Sequence, residues 1–363
     1  MSAIQKIIQK SALQYVSQYG YAMPAVHKKA LVAMEICRTE RMGTNLYQCP
    51  DCGHSEVAMR SCSNRSCPTC QTDKGREWLQ KNAQRLLPCA YFMVTFTIPE
   101  QLRHIVRSNQ RLIYDMMFGC AWKSMKKISA DPKYLGVKKM GAMGILHTWT
   151  RQMQYHPHIH FLVPAGGIDK DGNWCAGRAD FLFPVRALSR LFRAKVLEEL
   201  KNAGIAYPPK LWNIEWNVNC ENKGNGQRAL GYLSNYLFRV AISNNRIVES
   251  DTQSVTFRYK KRTSDKYRKA KVSNLEFIRR YLQHVLPNGF VKVRHYGFMS
   301  AASTCDIAEL AKQVLDGLEL PLNDQAQQHK PMGYRCSCGA RMLLAMLMGP
   351  TVITCNAKRE MQT

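Results

Sequence analysis

A chain of 363 residues exceeds the roughly 150 residues usual for one domain, so two or three domains and a sizeable core are expected. Its 52 lysines and arginines against 26 aspartates and glutamates leave a formal charge of +26, which repels itself unless an anionic partner neutralises it, and nucleic acid is the commonest such partner. No apolar run reaches the ~18 residues of a membrane span and no signal-like amino terminus opens the chain, so no membrane partner and a cytoplasmic location, nucleoid-associated when bound to DNA, are expected; the fourteen cysteines, several in Cys-x-x-Cys pairs, read as zinc ligands rather than disulfides.

Residues 1–45 read as a helical segment. Ile4, Ile7, Ile8, Leu13 and Val16 recur at near-helical spacing, and a second amphipathic run over 25–37 follows Pro24. Both helices read as structural, with Lys28, Lys29 and Arg38 as candidates for phosphate contact. Residues 46–88 form the next unit. Cys49-x-x-Cys52 and Cys67-x-x-Cys70 each suit a tight knuckle, so Cys49, Cys52, Cys67 and Cys70 are expected to close one structural Zn²⁺ site with no open position. Such a site folds a module that has little core of its own. His54 and Cys62 inside the loop stay open as alternative ligands, and Arg60, Arg65, Lys74 and Arg76 around it suit either a DNA-touching surface or a ribbon packed on its neighbour.

From Cys89 the pattern changes to strand, with aromatic and β-branched residues over 91–98 ended by Pro99. A helical region over 100–127 carries Leu102, Ile105, Leu112, Met116 and Trp122 as core residues, and 144–150 reads as a further strand. A short polar connection leads into Tyr155-His156-Pro157-His158-Ile159-His160-Phe161-Leu162-Val163. Side chains alternate along a strand, so His158 and His160 share one face while Ile159, Phe161 and Val163 turn to the core. An exposed polar face is the bland reading. A central strand, however, rarely spends two positions on histidine without giving them a partner, which favours a metal or catalytic role. If the two strands pair as a hairpin, His147 faces the same side and is the first candidate for a third ligand, with Gln152 and His156 as rivals.

Residues 166–173 form a turn into a hairpin. A basic amphipathic helix over 183–200 carries Arg186, Arg190, Arg193 and Lys195, 212–218 reads as an edge strand, and 221–226 as a flexible loop. Residues 231–239 have helical character, which sets Tyr232 and Tyr236 on one face, one turn apart. Alone they read as core residues with wet hydroxyls; beside a paired-histidine strand and a large positive charge they become candidate nucleophiles. Residues 255–262 read as a strand running into a basic loop, with Arg258, Lys260, Lys261 and Arg262, and Tyr267, Arg268, Lys269 and Lys271 interleave aromatic and basic residues as single-strand binding requires. A solvated charge run is the alternative. Ser273-x-x-Glu276 resembles a capping box opening a helix that continues to 285. The tail over 301–363 contains a helical stretch, and its Cys336, Cys338 and Cys355 offer a weak second zinc set.

His158-Ile159-His160 is similar to the HUH motif (histidine, bulky hydrophobic, histidine) of single-strand DNA nucleases such as rolling-circle replication initiators, plasmid relaxases and Helitron transposases. The wider set resembles rolling-circle insertion-sequence transposases of the IS91 type: the 49–70 cysteine segment, Leu146-His147-Thr148-Trp149, His156 to His160, Tyr232-Leu233-Ser234-Asn235-Tyr236, the run 239–244, Ile278-Arg279-Arg280-Tyr281-Leu282 and His295-Tyr296-Gly297-Phe298. That family often carries a basic residue three positions after the first tyrosine; Asn235 stands there, whereas Arg239, three after Tyr236, keeps the relation. The resemblance implies an α+β fold: an antiparallel-sheet nuclease domain over 89–300 with the histidines on a middle strand, preceded by the helical segment and the zinc module. It further implies Mg²⁺ or Mn²⁺ on His158, His160 and a third ligand, attack by Tyr232 or Tyr236 to give a 5′-phosphotyrosine, and a single-stranded partner at transposon ends and target, gripped by Arg239, Arg258, Lys260, Lys261 and Arg262. A plasmid replication initiator or relaxase shares these catalytic parts, but the zinc segment and the lack of a helicase-type Gly-rich phosphate loop favour a transposase. A zinc-dependent DNA-binding regulator with structural histidines is the non-enzymatic reading.

Overall fold

The computed structural model describes residues 2–237, 241–261, 264, 266–316 and 334–349, with the backbone alone at 72–77, 232 and 234–237. Two helices open it, α1 (Ala3–Tyr19), capped by the Ser2 hydroxyl accepting from the Gln5 amide, and α2 (Ala25–Ile36). The hairpin β1 (Thr44–Gln48) and β2 (Ser55–Met59) and helix α3 (Cys70–Ala83) lead to β3 (Ala90–Thr97). Helices α4 (Arg103–Ser108) and α5 (Gln110–Ser129), strands β4 (Gly141–Trp149) and β5 (Tyr155–Pro164), and the small hairpin β6 (Gly166–Ile168) and β7 (Trp174–Ala176) follow. Next come α6 (Val185–Asn202), β8 (Val218–Asn225), α7 (Gly226–Leu237), β9 (Ile247–Ser250), β10 (Ser254–Lys260) and β11 (Tyr267–Ser273). The chain continues through α8 (Asn274–Leu282), β12 (Val293–Gly297), α9 (Ile307–Asp316) and β13 (Leu343–Met348).

The centre is an antiparallel five-stranded sheet in the order β12-β4-β5-β3-β8, so the histidine strand β5 is the middle one, as expected. Strand alternation divides its faces. Phe92, Val94, Phe96, Leu146, Ile159, Phe161 and Val163 pack on one face against Phe118 of α5 and Phe192 of α6. Phe161 meets Phe96 and Phe118 edge-on at centroid distances of 5.9 and 6.1 Å, a favourable geometry for buried rings. The opposite face offers Met93, Met143, Ile145 and Leu162, covered by Ala229, Leu230 and Leu233 of α7, with Leu310 and Val314 of α9 in the same cluster.

Proline removes a ladder donor and is unusual within a middle strand. At Pro157 the β4–β5 register shifts: His147 pairs with His158, but Trp149 pairs with Tyr155, so His156 and Pro157 together oppose Thr148. This bulge accommodates the missing N–H and lies immediately beside the histidines.

A second core joins α1 and α2 to Cys67, Cys70, Val255 and Phe257 of β10, and Phe277, Ile278 and Tyr281 of α8. The Tyr281 hydroxyl donates to the Ser66 carbonyl (2.8 Å), fixing α8 to the cysteine loop. The Ser273 hydroxyl accepts from the Glu276 amide (3.2 Å), so the expected cap opens α8. No helix among the described residues is long and apolar enough to cross a membrane.

Two expectations change. The edge strand expected at 212–218 is β8 at Val218–Asn225, so residues read as a loop belong to the sheet. Val218 and Cys220 join the apolar core, while Asn219, Glu221 and Lys223 alternate onto the other side, and an edge strand tolerates such polar residues. The tail contributes α9 and also β13, which pairs with β1 to make the three-stranded sheet β13-β1-β2.

Candidate active site and metal centres

His147 on β4 lies directly opposite His158 on β5, and His160 stands two residues along the same face. The three imidazoles converge: ring centroids are 5.3 Å apart for His147–His158, 4.8 Å for His147–His160 and 4.9 Å for His158–His160. One nitrogen from each falls within 4.8 Å of the others. His147, the preferred third candidate, is therefore the one that the fold brings to the pair. Of its rivals, His156 uses Nδ1 to accept from Arg103 (3.1 Å), and Gln152 lies in the β4–β5 turn, where its backbone carbonyl accepts from Arg280 (3.4 Å).

Neighbours orient the rings. His158 Nδ1–H donates to the His156 carbonyl (2.7 Å), which leaves the lone pair on Nε2. His160 Nδ1 lies 2.8 Å from Thr95 Oγ1, a residue paired with it across β3 and β5, so its Nε2 is likewise turned to the cluster. His147 stacks on Trp149 with ring centroids 4.9 Å apart. Burial holds the His158 ring well below the ordinary imidazole range, reinforced by the charge of His160. Burial also pushes His160 down to about 4, with Lys223 acting in the same direction and Glu221 against it. Both rings are thus neutral near pH 7, the form that ligates metal. Three imidazoles on one face, two with Nδ1 already engaged, fit a divalent transition ion.

Helix α7 lies against this same face of the sheet through Ala229, Leu230 and Leu233. It carries Tyr232 and Tyr236, whose side chains lie outside the described part, and Arg239 and Arg262 lie outside the described residues altogether. Arg258 and Lys260 are on β10, where Thr256 pairs with Lys271 and Arg258 with Lys269, so basic groups line one face while Val255 and Phe257 enter the core. The Arg258 guanidinium sits 5.6 Å from the Tyr267 ring centre, and Lys261 follows, exposed, at the strand end. Separately, a cleft of about 430 Å³ beside β5 is lined by His27, Arg103, His104, Arg107 and Arg279 together with Tyr15 and Tyr155.

The cysteines group differently from the single site expected. Cys67 and Cys70 lie with Cys37 and Cys62, whereas Cys49 and Cys52 lie with Cys336 and Cys338. The reason is local geometry: Cys49 and Cys52 belong to the turn of the β1–β2 hairpin, while Cys67 and Cys70 open α3 and pack beneath the end of α2, where Cys37 sits. In the first cluster the sulfurs are 3.6 Å (Cys37–Cys70), 3.7 Å (Cys62–Cys70) and 3.7 Å (Cys37–Cys67) apart. A tetrahedral ion with Zn–S bonds of about 2.3 Å has sulfur–sulfur edges of roughly 3.8 Å, so this donor set fits Zn²⁺. Cys62, open as an alternative, is part of it; His54 contributes its carbonyl to the Cys49 amide. Cys355 lies outside the described residues. Cys37 carries no motif of its own that would mark it in the sequence, and neither does the orienting role of Thr95.

Comparison with known proteins shows the family. The profile of a family described as "Putative transposase" matches residues 141–306, and that of a "Transposase zinc-binding domain" matches residues 7–98, which contain all of Cys37, Cys62, Cys67 and Cys70. The "Transposase for insertion sequence element IS801" of Pseudomonas savastanoi pv. phaseolicola is 26% identical over 374 residues, covering 92% of this chain and 87% of its own. No solved structure matches the chain. The "Putative transposase y4qJ" of Sinorhizobium fredii is 38% identical over 348 residues, 88% of this chain and 86% of its own length, and with the two matched segments this makes the chain a member of the IS91-type family of insertion-sequence transposases.

Proposed function

We propose that the protein nicks and rejoins single-stranded DNA at the ends of its element through a 5′-phosphotyrosine, as rolling-circle transposition requires. Membership of a transposase family makes DNA the substrate and the protein a DNA-processing enzyme; the strandedness and the chemistry are our reading. The observation that carries it is the convergence of His147, His158 and His160 on the sheet face against which α7, with Tyr232 and Tyr236, is packed.

The Nε2 atoms of the three histidines would hold Mg²⁺ or Mn²⁺, which supplies charge stabilisation to a phosphate bound in front of it. A tyrosine oxygen from α7 forms a bond to phosphorus as the bond from phosphorus to the 3′ oxygen breaks; the phenol gives up its proton and the leaving oxygen takes one, freeing a 3′-hydroxyl. The phosphodiester energy is kept in the tyrosyl link, so the second tyrosine can accept another strand without water. Arg258, Lys260, Lys261 and Lys269, with Tyr267 among them, provide phosphate contacts and a stacking ring for the strand. The plasmid initiator reading shares this chemistry, and the relatives favour a transposase. Such a protein would work in the cytoplasm on the nucleoid.

The test is incubation with single-stranded DNA bearing an element end and Mn²⁺, followed by denaturing electrophoresis. A detergent-resistant adduct is expected from the wild type and not from Tyr232→Phe/Tyr236→Phe. Absence of an adduct from wild type sinks the nuclease reading; persistence in the double variant sinks the assignment of nucleophiles.

A further inference from the structure

We infer that the chain holds a second structural zinc ion, on Cys49, Cys52, Cys336 and Cys338, which fastens its C-terminal part to its N-terminal module. Neither matched family segment, 7–98 or 141–306, reaches Cys336 and Cys338. Cys49 and Cys338 sulfurs are 3.5 Å apart and Cys52 and Cys336 sulfurs 3.4 Å apart, across 289 and 284 positions of sequence. These distances are far beyond a covalent sulfur–sulfur bond of about 2.05 Å and close to the roughly 3.8 Å edges of a zinc tetrathiolate.

The backbone supports the same conclusion independently, because the two cysteine turns are built alike. The Cys49 amide donates to the His54 carbonyl and the Gly53 amide to the Cys49 carbonyl; the Cys336 amide donates to the Ala340 carbonyl and the Gly339 amide to the Cys336 carbonyl. Each turn places a glycine directly after its second cysteine with positive φ, +72° at Gly53 and +94° at Gly339, which a side chain would resist. Both knuckles thus present paired sulfurs to a common centre. Among the described residues the apolar core around them is Cys49, Cys336 and Met342, with Tyr47 and Ala340 packed on it. Beside so small a core, β13 is joined to β1 by its strand pairing and by the stack of Tyr334 on Tyr47, and a metal would add a link that ties both cysteine turns together. Binding is acid–base exchange: Zn²⁺ enters, up to four thiol protons leave to solvent, and nothing is oxidised.

Zinc counting by native mass spectrometry on the full chain tests this. Cys336→Ser/Cys338→Ser is expected to carry one zinc ion fewer than wild type, Cys338→His to keep it, and Cys305→Ser, outside both clusters, to match wild type. An equal count in wild type and the double variant overturns the inference. Should that variant fail to fold, alkylation of the wild type decides: Cys49, Cys52, Cys336 and Cys338 are expected to resist iodoacetamide and to become reactive together on adding chelator. Reaction of Cys336 and Cys338 without chelator, while Cys49 and Cys52 stay protected, overturns it equally.

Discussion

Replacing Thr95 by valine separates the orientation of a proposed metal ligand, His160, from its presence. Thr95 Oγ1 lies 2.8 Å from His160 Nδ1 and, half-buried on β3, is that nitrogen's direct cross-strand neighbour. Valine keeps the branched shape and removes the hydroxyl, so the imidazole remains but nothing at residue 95 fixes its tautomer or rotation. Removing such a supporting hydrogen bond weakens metal binding 10- to 100-fold as a rule, or about 1.4–2.8 kcal/mol at 1.4 kcal/mol per decade. The cost to folding is smaller, about 1 kcal/mol for one hydrogen bond. Mn²⁺ titration followed by the paramagnetic resonance of the free ion is expected to show the weakened affinity in Thr95→Val and near-normal affinity in Thr95→Ser. Adduct formation in Thr95→Val should recover at saturating Mn²⁺, because the nucleophile is untouched. Wild-type affinity in Thr95→Val would refute the argument that this hydroxyl sets His160.

Leu233→Ala removes a fully buried anchor of α7 on the histidine face; a loss of about 2–5 kcal/mol in denaturant unfolding is expected, with a fall in adduct yield under conditions where the variant is still folded, and an unchanged yield would detach α7 from the reaction. Arg258→Ala/Lys269→Ala should flatten the salt dependence of single-strand binding by about 0.7 for each phosphate that is no longer neutralised, and an identical slope would show that this sheet face is not on the DNA path. Burial holds His284 at about 3 and His27 at about 4, both below the ordinary 6.5, so the unfolded chain binds protons that the folded chain refuses. Stability therefore declines as pH falls from 6.5, by up to about 1.4 kcal/mol per unit for each group. Carboxylates such as Glu276, held down to about 2 by Arg279, titrate lower, so unfolding measured between pH 6.5 and 5 reads the buried histidines together, His158 and His160 among them, and a flat curve there would count against all of them.

What was legible in the sequence is what local periodicity controls. Alternation along 155–163 placed His158 and His160 on one face and Ile159 and Phe161 on the other, and a short hairpin brought His147 into line. Ser273 announced its helix because a cap is a contact between near neighbours. The cysteine grouping was not legible. Cys-x-x-Cys shows that two thiols share a knuckle and is silent on which other knuckle faces it, and one of the partners lies 284 positions away. Strand β8 failed for another reason: Glu221, Asn222, Lys223 and Gly224 have loop composition, and only pairing with β3 along one edge makes them a strand.

The middle strand serves two purposes that share one constraint. Slipping β5 by one residue would turn Ile159 and Phe161 out of the core and the histidines into it, so the packing that stabilises the sheet also fixes which face carries the imidazoles. The register is further pinned on both sides, by Thr95 against His160 on β3 and by His147 against His158 on β4. The bulge at His156 and Pro157 confines the irregularity to the strand's first residues and leaves the histidine rows regular. It also sets the His156 carbonyl 2.7 Å from His158 Nδ1, so the backbone distortion beside the cluster fixes the tautomer of one of its imidazoles. The geometry of the histidine cluster therefore rests on the apolar face of the sheet: a core substitution that loosened Phe161 between Phe96 and Phe118 would disturb the cluster without touching it.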